Sequence, residues 1–511
     1  MNSFAPVPAN ITQAARALAD DHLRAGKTLT LTLASSSMWP SLAPGDRLRV
    51  RAARLDELRP GDILVRKLEA TWIVHRLIRQ ERSAAETLLM TKGDNAATAD
   101  APWPATQLLG IVVAVERPSL PHRALIDLIR AAFPFDDRRV LSPVIKESDW
   151  PLLVETAIPH GLAPLAFAAL KKCSLAEAAP AAAVARLRLA YLRTSLANQM
   201  AFQELGDLLD RFERNRIPLI ILKGAALVPT LYGDHALRPM GDLDLLVPRA
   251  AAAQAQAALI EQGYTAATEM ARGFAEAFAV ERSFLRLGDR PAQIDLHWHL
   301  FATAYYAERI PIEWFWRRTT TIEVSGRRAL TFSPTAQLLY LSAHYLQHHY
   351  RRLIWSYDIA RLMTHDASQI DWDEAVEAAA AFGLSPVLGE ALREVCEQWG
   401  VFMPATVEAR LRAVESSWKD QLMFFMSSLD SSETGLPHGL SAHGLRKKAA
   451  YSLRVLFPSR DYMRARFHVR HGGWLPLCYA WRAGKAVLLA ARAAWSLTRA
   501  ALRARRLRQA M

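Results

Sequence analysis

Between residues 28 and 117 the hydrophobic positions come in short runs cut by turn-forming pairs. The runs are LTLTLAS, DRLRVRA after Pro44-Gly45, DILVRK after Pro60-Gly61, TWIVHRLI, TLLMTKG and LLGIVVAVE. Runs of this length, rich in β-branched and aliphatic residues and closed by Pro-Gly or Gly-Asp, predict strands. A small all-β domain is therefore expected over residues 28–118, preceded by a helix over 1–27. From about Pro121 the apolar residues recur at three- and four-residue intervals, through LLVETAIPHGLAPLAFAALKK and ARLRLAYLRTSLANQMAFQELGDLLDRFERN, which predicts helices over 119–215. Residues 216–332 mix the two periods. IPLIILKG reads as a buried strand, AALVPTLYGD as a short helix or turn, DLDLLV as a second strand, AAAQAQAALIEQGY as a helix closing at Gly263, and QIDLHWHL as a later strand. Ser333 can cap a helix that has Pro334 at its first position, and helical spacing continues over 333–430. The expected fold class is multidomain: all-β, then an α+β core embedded in helices, then an amphipathic tail over 431–511.

Composition sharpens this picture in two places. At 511 residues the chain exceeds a single core, which implies about two to four domains. Its 51% hydrophobic and 22% charged content is that of a globular protein. The formal net charge of +13 is concentrated, because residues 441–511 hold sixteen Lys or Arg and one acid, Asp461. The main body is thus close to neutral, and its charge says nothing of nucleic-acid partners. Cys173, Cys396 and Cys478 are too few and too scattered for a disulfide framework or a zinc cluster, so a reducing compartment, the cytoplasm, is expected. The first residues carry Asp20-Asp21 and no basic start followed by an apolar stretch, so no secretion signal is expected. No apolar run reaches the roughly 20 residues of a membrane helix. The nearest approach, from Leu475, is broken by Arg482, Lys485 and Arg492.

The stretch GDLDLLV, residues 241–247, sets two carboxylates inside an apolar run. Alternation along a strand puts Asp242 and Asp244 on one side and Leu243, Leu245 and Val247 on the other. With Asp295 on a neighbouring strand, three carboxylates are a donor set for Mg²⁺ or Mn²⁺, hard cations that share their shell with nucleotide phosphates. Ions held there would activate an attacking hydroxyl and stabilise departing pyrophosphate. Gly224 presents no side chain to obstruct a phosphate, Lys223 can neutralise one, and Arg238 can do so from the other side. His297 and His299 share the face of Asp295 by alternation, although a strand histidine is more often an ordinary hydrogen-bonded residue. His344 and His348 have the i, i+4 spacing of a metal pair without the Glu of a zinc protease, and read as positions on a packed helix. Asp358 fits equally a pocket or a surface.

These residues carry a resemblance. IPLIILKGAALVPTLYGDHALRPMGDLDLLV, AALIEQGY and IDLHWHL look like a bacterial family within the polymerase-beta-like nucleotidyltransferase superfamily, over more than 200 residues from ESDWPLLVETAIPHGLAPLAFAAL to beyond LLYLSAHYLQHHYRRLIWSYDIARLM. The resemblance implies a nucleotidyltransferase core, NTP as substrate, Asp242 and Asp244 as metal ligands and Asp295 as third carboxylate. Where the wider superfamily has Gly-Ser or Gly-Gly, this chain has Gly224-Ala225, which removes a serine contact to phosphate. A chain that binds nucleotide without transferring it is the corresponding alternative.

A second resemblance lies in SSSMWPSLAPGD, residues 35–46, followed in order by RPGDILVRK, WIVHRLI and TKGDNAATAD. These motifs look like signal peptidase I and its LexA-like relatives. The likeness implies Ser37 as nucleophile and His75 as general base, in the manner of the archaeal and endoplasmic-reticulum type, with Asp94 or Asp100 behind the imidazole. Lys67 and Lys92 are the alternative bases under the LexA-like pattern. No membrane anchor is expected before Ser37, so the expected target is a cytoplasmic peptide or the chain itself. A docking module without activity is the alternative. The expected whole is a fusion of the two enzymes acting in peptide or protein maturation, or a scaffold built from two degenerate ones. The basic tail reads as a contact for the inner membrane face, a plain terminal helix, or, ranked last, a nucleic-acid contact.

Overall fold

The structure, a computed structural model, describes residues 23, 25–33, 37–38, 42, 46–68, 72–82, 86–94, 96, 98–116, 121–135, 145–267, 278–288, 291–301, 303–347, 352–414, 417, 419–420, 423–424, 445–467 and 472–484. The helix expected over 1–27 falls almost wholly outside these residues, as do His348 and the tail beyond residue 484. The chain divides into two compact units, residues 1–191 with 395–401, and residues 192–394 with 402–511.

In the first unit β1 (Leu29–Thr32), β2 (Arg47–Arg51), β3 (Ile63–Lys67), β4 (Trp72–Arg82), β5 (Thr87–Lys92), β6 (Trp103–Pro104) and β7 (Leu108–Glu116) form one sheet in the order β1-β2-β7-β3-β4-β5-β6. All of its pairings are antiparallel. Alternation is visible in β2, where Leu48 and Val50 are buried and Arg47, Arg49 and Arg51 exposed. Leu48, Val50, Ile63, Val65, Val74, Val112 and Val115 make one core, and Leu64, Leu77, Leu89 and Trp103 make a second. Three helices of the same unit follow: α1 (Pro121–Ala132), α2 (Trp150–Ala157) and α3 (Ala163–Lys172).

The 34-residue helix α4 (Ala181–Arg214) leads into the second unit. There β8 (Ile220–Ile221), β9 (Leu243–Leu246), β10 (Thr265–Ala266), β11 (Glu281–Arg286), β12 (Ala292–His297), β13 (Thr319–Val324) and β14 (Arg327–Phe332) form a mixed sheet in the order β10-β11-β12-β9-β8-β14-β13. Between β8 and β9 lie α5 (Lys223–Leu227) and a π-helical turn over Val228–Tyr232. Helix α6 (Ala252–Glu261) follows β9, and the chain leaves it through Gly263 at φ 83°, a backbone that costs glycine nothing. IPLIILKG is a strand only at Ile220–Ile221, because the chain enters α5 at Lys223. Phe202, Leu205, Phe212, Ile221, Leu243, Leu245, Phe284, Ile294 and Leu296 belong to the core that joins α4 to this sheet. Helices α7 (Ala304–Arg309) and α8 (Ile312–Trp316) precede β13. After β14 come α9 (Pro334–Gln347), α10 (Leu353–His365), α11 (Trp372–Phe382), α12 (Ser385–Trp399), α13 (Ala405–Ala413), α14 (Leu445–Leu456) and α15 (Arg460–Phe467).

Candidate functional site

The acidic residues meet on one face of the mixed sheet. Strands β9 and β12 run parallel, with Asp295 directly beside Asp244. Asp242 lies in the bend just before β9, close enough for Asp244 and Asp295 to act on its carboxyl. The apolar alternates Leu243, Leu245, Ile294 and Leu296 are buried in the core, and this burial fixes which face the carboxylates occupy.

Asp244 is buried, and its Oδ1 accepts from Lys223 Nζ at 2.7 Å and His297 Nε2 at 2.9 Å. The other ring nitrogen of His297, Nδ1, lies 3.0 Å from Glu281 Oε2 on β11, where Glu281 and His297 are paired in register. Burial alone would lower the His297 pKa, but the charge of Glu281 and the bond to Asp244 outweigh it and raise it to about 9. The ring is an imidazolium at neutral pH, donating from both nitrogens. Burial would also lower Lys223, and Tyr340, Asp244 and Glu281 around it reverse that, so it stays an ammonium. Asp244 is desolvated, yet Lys223 and His297 hold its proton affinity well below the usual carboxylate range. Asp242 moves the opposite way, up to about 6, through burial and then the charge of Asp244, with Lys223 partly offsetting and Asp295 adding. Lys223 itself sits at φ 47°, a left-handed backbone that a β-carbon disfavours, at a cost on the order of 1–2 kcal/mol.

Three expected roles look different in place. Arg238 is buried and forked onto Asp358 through Nε to Oδ1 at 2.9 Å and Nη2 to Oδ2 at 2.8 Å. Its principal partner is thus a carboxylate of α10, not an open phosphate position. Tyr232 OH donates to the same Asp358 at 2.5 Å, which places Asp358 in the interior. A side chain at Gly224 would run into Arg238 Nη1 and Met240, so the glycine is required by the guanidinium packed on it, and the space beside it is filled. His299 lies past the end of β12, with Nε2 3.2 Å from the Ile310 carbonyl and Nδ1 accepting from Phe301 N, away from Asp244. The His344 ring packs against Tyr340 and Trp355.

Glu281, Tyr340 and Asn198 were not singled out by sequence. Glu281 and Tyr340 carry no motif, and only strand register and helix packing bring them beside Lys223. Asn198, fully buried on α4, donates from Nδ2 to the carbonyls of His235 at 2.6 Å and Arg238 at 2.7 Å and accepts from Met240 N at 3.3 Å. It clamps the loop that delivers Asp242.

A divalent cation fits this face by donor chemistry rather than by a finished shell. Among the described residues no group of three or more His, Cys, Asp or Glu is drawn together at metal-ligand geometry, so the expected three-carboxylate cage is not closed. Four carboxyl groups, Asp242, Asp244, Asp295 and Glu281, are gathered here with the cations Lys223 and His297, and Arg238 also acts on Asp242. Burial, and then the charge of Asp244, raise the Asp242 carboxyl, and such oxygen donors suit Mg²⁺ or Mn²⁺.

The β unit carries a second cluster. His75 Nδ1 lies 2.6 Å from Asp100 Oδ2, and that oxygen also accepts from Thr91 Oγ1 at 2.6 Å. Trp103 Nε1 donates to Thr91 Oγ1 at 2.9 Å, tying the carboxylate to the core. Between the two acids left open by sequence, Asp100 reaches His75. Asp94 is bound by Arg76 at 2.9 and 2.8 Å, and it is not the residue behind the imidazole. A β-carbon at Gly93 would lie 2.7 Å from the Ser37 carbonyl oxygen and 2.9 Å from His75 Nε2, so Gly93 lets the Ser37 backbone and the free edge of the imidazole converge. Lys67 and Lys92 end β3 and β5, and neither supplies one of those nearest atoms.

No curated protein matches the chain. A crystal structure of an antigenic nucleotidyltransferase-like protein from Paracoccidioides brasiliensis matches at 15% identity, covering 44% of this chain and 92% of that one, with a TM-score of 0.27. That is too low to bear on the fold. The family evidence comes from sequence: the segment that builds the mixed sheet and its acidic face, residues 146–399, matches the family described as uncharacterised nucleotidyltransferase.

Proposed function

We propose that this chain transfers a nucleotidyl group from an NTP to an acceptor hydroxyl. The reading rests on one observation above all: Asp244 and Asp295 stand side by side on parallel strands, with Asp242 just before the first of these strands and its carboxyl raised by burial and then by the charge of Asp244. The family match over residues 146–399 supports it. Asp242, Asp244 and Asp295 would hold Mg²⁺ or Mn²⁺, which supplies charge neutralisation for the phosphates and for the departing pyrophosphate. Asp295, partly buried beside Asp244, would take the proton of the acceptor hydroxyl as its oxygen bonds the α-phosphorus and the bond to pyrophosphate breaks. Lys223 can turn from Asp244 to the triphosphate, and His297 keeps Asp244 ionised and oriented. Arg238, locked by Asp358, shapes the floor of the site. Incubation with α-labelled NTP and Mg²⁺ tests this: label transferred by the wild type and lost, by at least ~100-fold, in Asp242→Asn supports it. Equal labelling, or none in either, leaves the alternative of a nucleotide-binding scaffold.

A second activity is favoured by the His75–Asp100 pair. Asp100 would fix the tautomer with Nδ1–H toward it, leaving Nε2 to take the Ser37 proton as Oγ attacks a peptide carbonyl. The proposal is a serine peptidase acting on a cytoplasmic peptide, and with the transferase it makes a maturation enzyme that modifies and cuts. A fluorophosphonate probe should label the wild type and not Ser37→Ala.

A further inference from the structure

The last described segments, residues 445–467 and 472–484, are folded rather than a loose basic tail. Arg482 is buried, donating from Nε to the Val455 carbonyl at 2.9 Å, and Tyr479 OH donates to the Pro458 carbonyl at 2.6 Å. Trp481 packs edge-on to Phe467 at 5.7 Å, and Tyr451 and Arg454 pack on Phe278, against the same unit as the mixed sheet. Along the helical residues 475–484 the buried positions are Leu475 and Arg482, seven apart. Trp474, Leu477 and Trp481 recur at intervals of three and four and form a different stripe. Most of that stripe's surface is exposed: Trp474 is 62% exposed, Leu477 60% and Trp481 57%. Leu453 and Phe457, four apart at the end of α14, are exposed to the same degree at 62% and 59%. Isolated apolar residues on a surface need no explanation, but five large ones within 29 residues do.

The surrounding charge selects the occupant. Arg446, Arg460, Arg464 and Arg466 are exposed in the same segment, and Asp461, 3.9 Å from Arg464, is the single acid of residues 441–511. A second copy of the chain would bury the apolar stripes only by setting one cationic surface against another. A nucleic acid would satisfy the arginines and leave Leu453 and Leu477, which have no ring to stack on a base, in water. An anionic bilayer surface answers both features at once. Its headgroups take the guanidinium groups, and the acyl boundary takes tryptophan, phenylalanine and leucine side chains.

We propose that residues 445–467 and 472–484 carry a docking surface for an anionic lipid leaflet, lying in the interface. No helix among the described residues is long and apolar enough to cross a membrane, so contact at the surface is the mode this segment has. The inference does not depend on either proposed activity.

Sedimentation of the full chain with extruded vesicles tests it. Vesicles of phosphatidylcholine with about one-third phosphatidylglycerol should pellet the protein at low salt, with a partition constant at least ~10-fold above that for phosphatidylcholine alone, and ~0.5 M salt should release it. The triple variant Trp474→Ser, Leu477→Ser, Trp481→Ser should lose ~10-fold or more of the binding at an unchanged thermal midpoint, and Leu453→Ser with Phe457→Ser should lose part of it. The tryptophan emission of the wild type should shift to the blue on binding and be quenched by brominated lipid. The proposal is overturned by failure to pellet, by equal binding to neutral vesicles, or by unimpaired binding of the triple variant. It is equally overturned if that variant instead abolishes a concentration-dependent dimer or the binding of single-stranded RNA.

Discussion

One oxygen of Asp244 receives both an ammonium and an imidazolium, so the site is built as a buried ion cluster whose cations are held by carboxylates. The consequence for pH follows from sign. The folded state raises His297 from 6.5 to about 9, so its contribution to stability is complete below about pH 6.5 and is lost as the pH climbs through about 9. Asp242, raised from 3.8 to about 6, acts in the same sense at lower pH, favouring the fold below 3.8 and ceasing to do so above about 6. Thermal midpoints in metal-free buffer should fall across the alkaline window in the wild type and fall less in His297→Gln; parallel profiles would contradict this. Arg238 and Asp358 make a prediction of another kind. Asp358→Asn leaves a buried guanidinium without its counter-charge, which should cost about 3–5 kcal/mol in denaturant melts. Replacing both, Arg238→Met with Asp358→Leu, should recover most of that. A stable double variant that no longer transfers nucleotide would place Arg238 at the substrate.

Helix α4 is the element on which the mixed sheet of the second unit is assembled. Its Asn198 clamps the loop before Asp242, its Glu204 accepts from Tyr264 OH at 2.5 Å and pairs with Arg286, and its Asp210 takes the fork of Arg327 at 2.6 and 2.7 Å. Gly206 lies where Arg327 Nη1 would be 2.9 Å from any β-carbon, so the β13–β14 turn closes onto the helix there. Asn198→Ala would leave the carbonyls of His235 and Arg238 without their donor in a dry interior. A loss of about 2–3 kcal/mol is expected, with transfer reduced ~10-fold or more because the loop no longer holds Asp242 in place. A variant that is destabilised but equally active at low temperature would reduce Asn198 to a packing role. The helix was legible from its repeat of apolar positions. The polar contacts of Asn198, Glu204 and Asp210 were not, because each partner lies 37 or more residues further along the chain.

At the scale of the molecule, the core clusters described in the first unit lie within residues 23–115 and the one described in the second lies within residues 202–329, and each candidate site is built from residues of its own unit. The two chemistries should therefore be separable. Ser37→Ala should abolish probe labelling and leave Asp242-dependent transfer within about twofold, and Asp242→Asn should do the reverse. Loss of both activities in either variant would mean that the sites are coupled.

The sequence by itself determined the local elements. Strand alternation in DRLRVRA and DLDLLV and the 3.6-residue repeat through α4 are short-range patterns, and a chain that must bury its apolar side has little freedom to do otherwise. It also brought Asp242 and Asp244 near each other, since they are two residues apart, although the strand begins at Leu243 and only Asp244 lies in it. Tertiary structure alone decided the partners. Asp100 rather than Asp94 stands behind His75, Arg238 meets Asp358 across 120 positions, and Asp244 meets His297 across 53. Each of these charges is desolvated by folding and must find a counter-charge wherever the packed chain brings one. That choice is made by strand register and helix docking, which no local window of sequence contains.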